Sequence, residues 1–101
     1  MLFLLKSPAE TARELAERAR QVRLARGWRQ VELSSRSGVA LSTLRLFERT
    51  GQISLERLLM IASTLNAVEP FEQLFQLPPV TSLAEVEARQ LKRKRARRVA
   101  R

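Results

Sequence analysis

Gly38 and Gly51 bracket the run "VALSTLRLFERT", and this bracketed run most constrains the fold. Glycine takes a left-handed backbone at little steric cost, so each of the two marks a place where a helix stops or turns. Between them Leu44 and Phe47 stand three residues apart, on one face of a helix predicted over about 41–49. Leu41, Ser42, Arg45 and Leu46 then face outward. A short helix over roughly 30–37 precedes it, with Val31 and Leu33 inward, and "SGV" at 37–39 forms the turn. Two short helices crossing steeply at a glycine-containing turn leave one face of the second helix free. That face is either surplus surface or a surface made to enter a groove.

The rest of the chain reads as helix. "SPAE" at 7–10 is a helix start: Ser7 caps, Pro8 fits the first helical position and Glu10 closes a capping box. Ala12, Leu15, Ala16, Ala19 and Val22 follow helical spacing, so this helix runs to about Arg26 and stops at Gly27. Ser54 caps a fourth helix over 55–66, with Ile53 and Leu58 as a hydrophobic staple. Leu55, Leu58, Leu59, Ala62 and Leu65 form its inner stripe. A fifth helix over about 69–76 holds Phe71, Leu74 and Phe75. "LPP" at 77–79 ends the compact part. "SLAE" at 82–85 opens one more helix, expected to reach about Lys92 and then give way to a disordered end, because like charges repel. No strand pattern is present. The prediction is an all-α domain of five helices over 7–77, followed by a helical and disordered basic tail over 78–101.

Charge narrows the partner. The net charge is +9, and it is unevenly spread. Residues 18–57 carry nine Arg against Glu32, Glu48 and Glu56, while residues 89–101 carry eight Lys or Arg and no acid. Residues 58–88 between them hold four Glu and no base. Basic zones of this kind suit nucleic acid, whose phosphates release counterions on binding. A membrane-surface helix would need a strong apolar face, and residues 89–101 offer only Leu91, Ala96, Val99 and Ala100. The chain has no Cys, His, Asp or Tyr. Disulfides, thiolate metal sites and the usual general bases are therefore excluded, and neither an enzyme nor a cofactor or metal is expected. "MLFLL" is too short for a signal peptide and no stretch is long enough to span a membrane, so the expected location is the cytoplasm.

Two short helices about a glycine turn, inside a small α domain, form the arrangement used to read DNA. The sequence resembles the Cro/CI-type helix-turn-helix (XRE) family of lambda-repressor-like domains over about residues 12–68. The matching residues are Arg23 with Gly27 and Trp28, Gln30, Leu33, Gly38, Val39, Thr43, Leu44, Glu48 and the run "LERLLMIA". The resemblance implies roles. Gln30 would contact a backbone phosphate, Leu41 and Ser42 would meet base edges, and Thr43 would touch phosphate. Arg45 and Leu46 lie further along the reading face. Glu48 would be structural, bonding an Arg or a backbone group. Arg45 is the strongest candidate for hydrogen-bond readout, since Arg pairs bidentately with guanine. Arg49, Arg29 and Arg36 are the further phosphate candidates.

Four positions depart from the family pattern. Ala40 stands where a capping Ser or Thr is usual, a loss of about 1 kcal/mol. Arg29 stands where Thr usually caps the second helix. Leu41 and Leu46 are apolar where polar readers are common, although Leu can touch a thymine methyl. A finer resemblance, carried by "LRLFERTGQISLERLL", "EPFEQLF", "PP" and the basic end, is to HipB-like antitoxins that act beside Hip-type kinase toxins. It implies a homodimer on a palindromic operator of its own operon, with a toxin partner.

Other readings stand beside these. Arg45 could instead pair with Glu48 at i,i+3. Trp28 could pack in the turn between the first two helices. Phe71, Leu74, Phe75 and Leu77 either complete the core or form a dimer interface, and Met1–Leu5 is surplus in the same way. The tail fits DNA, a protein partner or solvent. A different class of function is a protein-interaction subunit that neutralises a toxin with little specific DNA reading.

Overall fold

The computed structural model describes residues 6–99 and contains six helices: α1 (Pro8–Ala25), α2 (Gln30–Ser37), α3 (Leu41–Thr50), α4 (Leu55–Thr64), α5 (Glu69–Glu72) and α6 (Leu83–Val99). No strand occurs among the described residues. Met1–Leu5, expected as surplus apolar surface, lies outside them. The all-α, lambda-repressor-like class read from the sequence is the class observed.

Local chemistry explains most boundaries. The Ser7 hydroxyl accepts the Glu10 N–H at 3.1 Å, and the Glu10 carboxylate accepts the Ser7 N–H at 3.4 Å, so the capping box forms. Ser54 accepts the Arg57 N–H at 3.2 Å at the start of α4. Gly38 (φ +80°) and Gly51 (φ +83°) close α2 and α3 in the left-handed conformation that a side chain would disfavour.

The core is a single cluster of Ala16, Leu33, Val39, Leu44, Phe47, Ile61 and Leu65. Ala19, Trp28, Ile53, Leu58 and Met60 pack against it from the rim. Here α3 lies against α1 and α2, and α4 packs against α2.

Four expectations need correction. Val31 is 53% exposed, whereas Leu33 is buried. Residues two apart lie about 200° round a helix, so both cannot face one core. Leu55 is 66% exposed, whereas Ile61, absent from the expected stripe, is buried. The true stripe is Leu58, Ile61, Ala62 and Leu65, and Ile53, ahead of the helix, packs against the core where Leu55 does not. The fifth helix is only Glu69–Glu72, and Phe75 turns left-handed (φ +64°) with 95% of its surface exposed. A left-handed backbone at Phe75 cannot continue a right-handed helix, so the helix does not extend to 76. Finally, α6 continues to Val99 rather than ending near Lys92. It contains no Gly or Pro and is built from strong helix formers, which outweigh the charge repulsion. Among the described residues, no helix is long and apolar enough to cross a membrane.

Candidate nucleic-acid interface

The turn between α2 and α3 is held by side chains as well as by Gly38. The Ser34 hydroxyl donates to the Val39 carbonyl at 2.6 Å, and the Ser37 hydroxyl accepts the Val39 N–H at 3.2 Å. Val39 itself is buried. These bonds fix how α3 leaves the turn. In the sequence they are signalled only by the Ser-rich run ahead of Gly38.

Leu44 and Phe47 are fully buried, which orients α3. Its opposite side is a stripe of Ser42, Arg45, Leu46 and Arg49, spaced i, i+3, i+4, i+7 and all exposed. Leu41 and Thr43 are half-buried on its two flanks, so Leu41 faces outward less fully than expected. Arg45 and Arg49 make no hydrogen bond or ion pair among the described residues. The alternative pairing of Arg45 with Glu48 is not formed, because Glu48 turns inward to other partners.

Glu48 accepts from Arg23 through both oxygens, at 2.8 and 2.9 Å, and its Oε1 also accepts from Gln30 Nε2 at 3.0 Å. Arg23 spends its remaining terminal nitrogen on the Trp28 carbonyl at 2.8 Å. The first side chain of α2 is thereby tied to α3, and the Gln30 amide is oriented at the edge of the α3 face.

The other Arg candidates lie around this centre. Arg29 is 84% exposed in its side chain and pairs loosely with Glu32 at 3.3 Å. It cannot cap α2 itself, but Glu32 reaches back to its N–H at 3.4 Å. Arg36 is exposed and stacks over the Trp28 ring at 4.5 Å, with Arg26 also over that ring at 5.2 Å. Trp28 packs at the rim of the core between α1 and α2. Arg26, not singled out in the sequence, also donates to the Leu65 carbonyl at 3.0 Å.

The expected dimer residues lie elsewhere, as part of the α5 region. Phe71 is half-buried, while Leu74, Phe75 and Leu77 are 58%, 95% and 66% exposed. Phe71 and Leu74 border an apolar groove of about 400 Å³ that also runs along Leu15, Ala19, Val22 and Leu58.

Chemically, the α3 stripe offers one hydroxyl, two unpaired guanidinium groups and one apolar side chain on a rigid helix. That set can hydrogen-bond base edges, neutralise phosphate and touch a methyl group. Comparison with known families agrees with this geometry: the helix-turn-helix family model matches residues 20–73, which includes α2, α3 and α4 in full. No curated protein matches the chain.

Proposed function

The chain belongs to the Cro/CI-type (XRE) helix-turn-helix family of DNA-binding transcriptional regulators, and we propose that within this family it is a sequence-specific repressor of its own operon. The observation that carries this reading is the exposed stripe Ser42, Arg45, Leu46 and Arg49, held outward by the burial of Leu44 and Phe47. On this reading residues 7–77 form the DNA-binding domain. Arg45 reads guanine, Ser42 and Leu41 meet neighbouring base edges, and Leu46 meets a thymine methyl. Gln30, Thr43, Arg49, Arg29 and Arg36 hold phosphates. A cytoplasmic location goes with it.

The exposed apolar set Leu74, Phe75 and Leu77, with Phe71 beside the α1–α4 groove, supports a homodimer. A two-fold dimer would set two α3 helices about 34 Å apart, one turn of DNA, on a palindromic operator. The resemblance of "EPFEQLF" and its flanks to HipB-like proteins supports an antitoxin role beside a Hip-type kinase toxin. The second reading is a toxin-neutralising subunit that has lost specific DNA reading. It is favoured by one observation, the apolar Leu46 in the middle of the exposed stripe.

Fluorescence anisotropy on the upstream region of its own gene and on a scrambled duplex separates the two. A native duplex bound at least about a hundredfold tighter at physiological salt supports the repressor, since specific sites are usually bound about 10³–10⁷-fold tighter than non-specific ones. Equal binding to both, released together as salt rises, supports the second reading. Sedimentation of Phe75→Ser beside the wild type tests the dimer, which predicts a shift from dimer to monomer.

A further inference from the structure

Among the described residues α6 is the one long helix that the core does not use. None of its residues belongs to the buried cluster. The radius of gyration is 18.8 Å, against about 13 Å for a compact domain of this length. An element of 17 residues therefore stands away from a small body.

Its first turns are pinned to the linker before it. The Glu85 carboxylate accepts the Thr81 N–H and the Thr81 hydroxyl, both at 3.0 Å. The Ser82 hydroxyl accepts the Glu85 N–H at 3.2 Å. Arg89 donates to the Pro78 carbonyl. These bonds set the direction in which the helix leaves Pro78 and Pro79.

Past Arg89 the helix carries Lys92, Arg93, Lys94, Arg95 and Arg97. All five are exposed and make no ion pair or side-chain hydrogen bond among the described residues. At about 100° per residue they stand on every side of the helix. A helix lying on a membrane needs one apolar side, which this one lacks. An acidic protein face would neutralise one side and leave the other repelling itself. A DNA major groove differs from both. It is about 12 Å wide, admits a helix about 10–12 Å across, and flanks it with phosphates on both walls. The major groove of duplex RNA is too narrow for a helix.

We propose that the segment Lys92–Arg97 of α6 lies in a major groove of the DNA this protein binds and holds phosphates of both walls. It rests on the DNA-binding role argued above and extends the footprint beyond α3.

The test is a salt series of anisotropy titrations with the full chain on the native upstream duplex and a scrambled one. The first variant is K92Q/R93Q/K94Q/R95Q/R97Q, in which Gln retains helix propensity. The slope of log affinity against log salt should fall by about 3–5 on both duplexes, since each lost phosphate contact removes about 0.9, and the preference between duplexes should stay. A fall of less than about one overturns the proposal and points to a protein partner for α6. The second variant, Leu91→Pro, retains every charge and breaks the helix, so affinity should drop about tenfold or more on both duplexes. Unchanged affinity means a shapeless polycation and also overturns it. Circular dichroism melts should show the core intact in both variants, since none of these residues belongs to it. A wild type with no preference for the native duplex sinks the repressor reading alone, because α6 is judged by the slope.

Discussion

Arg23 and Glu48 lie 25 residues apart in sequence and meet as a two-pronged ion pair, Nε to Oε2 at 2.8 Å and the second guanidinium nitrogen to Oε1 at 2.9 Å. Their side chains are only 7% and 5% exposed. The pair clamps α1 to α3 and leaves no buried polar side-chain atom unsatisfied among the described residues. Glu48→Ala would strand a buried guanidinium and should cost about 3–5 kcal/mol. That is a large share of the roughly 5–15 kcal/mol by which small domains are stable. Replacing both partners, Arg23→Met with Glu48→Leu, should cost less than Glu48→Ala alone. Urea unfolding measures both. A double variant as unstable as the single one would mean that the stranded charge is not the cause.

Gly51 sits against the backbone of α1. A Cβ there would come within 2.6 Å of the Ala12 carbonyl carbon and 2.8 Å of the Arg13 nitrogen, whereas a Cβ at Gly27 would meet nothing within 4 Å. Both glycines have positive φ. Gly27→Ala should therefore cost only the conformational strain, about 1–2 kcal/mol. Gly51→Ala adds overpacking and should cost about 2–5 kcal/mol. Equal losses in thermal melts would rule out the close approach of α3 to α1.

The α3 helix begins without a side-chain cap, because Ala40 has no oxygen to offer. Its backbone (φ −56°, ψ 143°) is one that Ser adopts without strain. Ala40→Ser should stabilise the protein by about 1 kcal/mol, a rise in Tm of roughly 4–8 °C for a domain of this size. Calorimetry decides, and an unchanged Tm would mean the hydroxyl finds no N–H to accept.

Arg45 is exposed and unpaired among the described residues, so Arg45→Ala should leave stability within about 0.5 kcal/mol of the wild type. Affinity for the native duplex should fall by about 1–3 kcal/mol, with little change on the scrambled one. Loss on both duplexes alike would make Arg45 a phosphate contact. No loss on either would remove it from the interface.

The Thr81 N–H, then the Thr81 hydroxyl and Arg89, hold the Glu85 carboxyl below the ordinary carboxylate range. A depressed folded pKa stabilises the cap above the unfolded value and is lost as pH falls through the folded one. In an NMR titration the Thr81 amide should shift with a midpoint below that of a free Glu, and Glu85→Gln should abolish the shift. A midpoint at or above the ordinary value would show that the cap does not form in solution.

Much of the fold was legible because its signals are local. Ser7 with Glu10, Ser54, and the glycines at 38 and 51 each act within a turn of the helix end they define. The burial of Leu44 and Phe47 was readable for the same reason, since their spacing alone puts them on one face. The reading failed where a residue's face depends on a neighbour's position. Leu55 has the right spacing for the stripe of α4, but at the helix's first position no neighbouring element covers it and it stays 66% exposed. Phe75 has the right spacing for a fifth helix, but the backbone has already turned out at that point.

By itself the sequence determined an all-helical chain, the place of the turn at Gly38, and a polar and basic face on the helix after it. Caps, glycines and periodicity act over a few residues and need no partner. Only the tertiary structure decided that Glu48 goes to Arg23 and Gln30, leaving Arg45 free on the surface three residues away. It also decided that Gly51 rests on Ala12 and that α6 stands off the core. These outcomes follow from how α1, α2 and α3 cross, and that crossing is set by the whole core packing together rather than by any one segment.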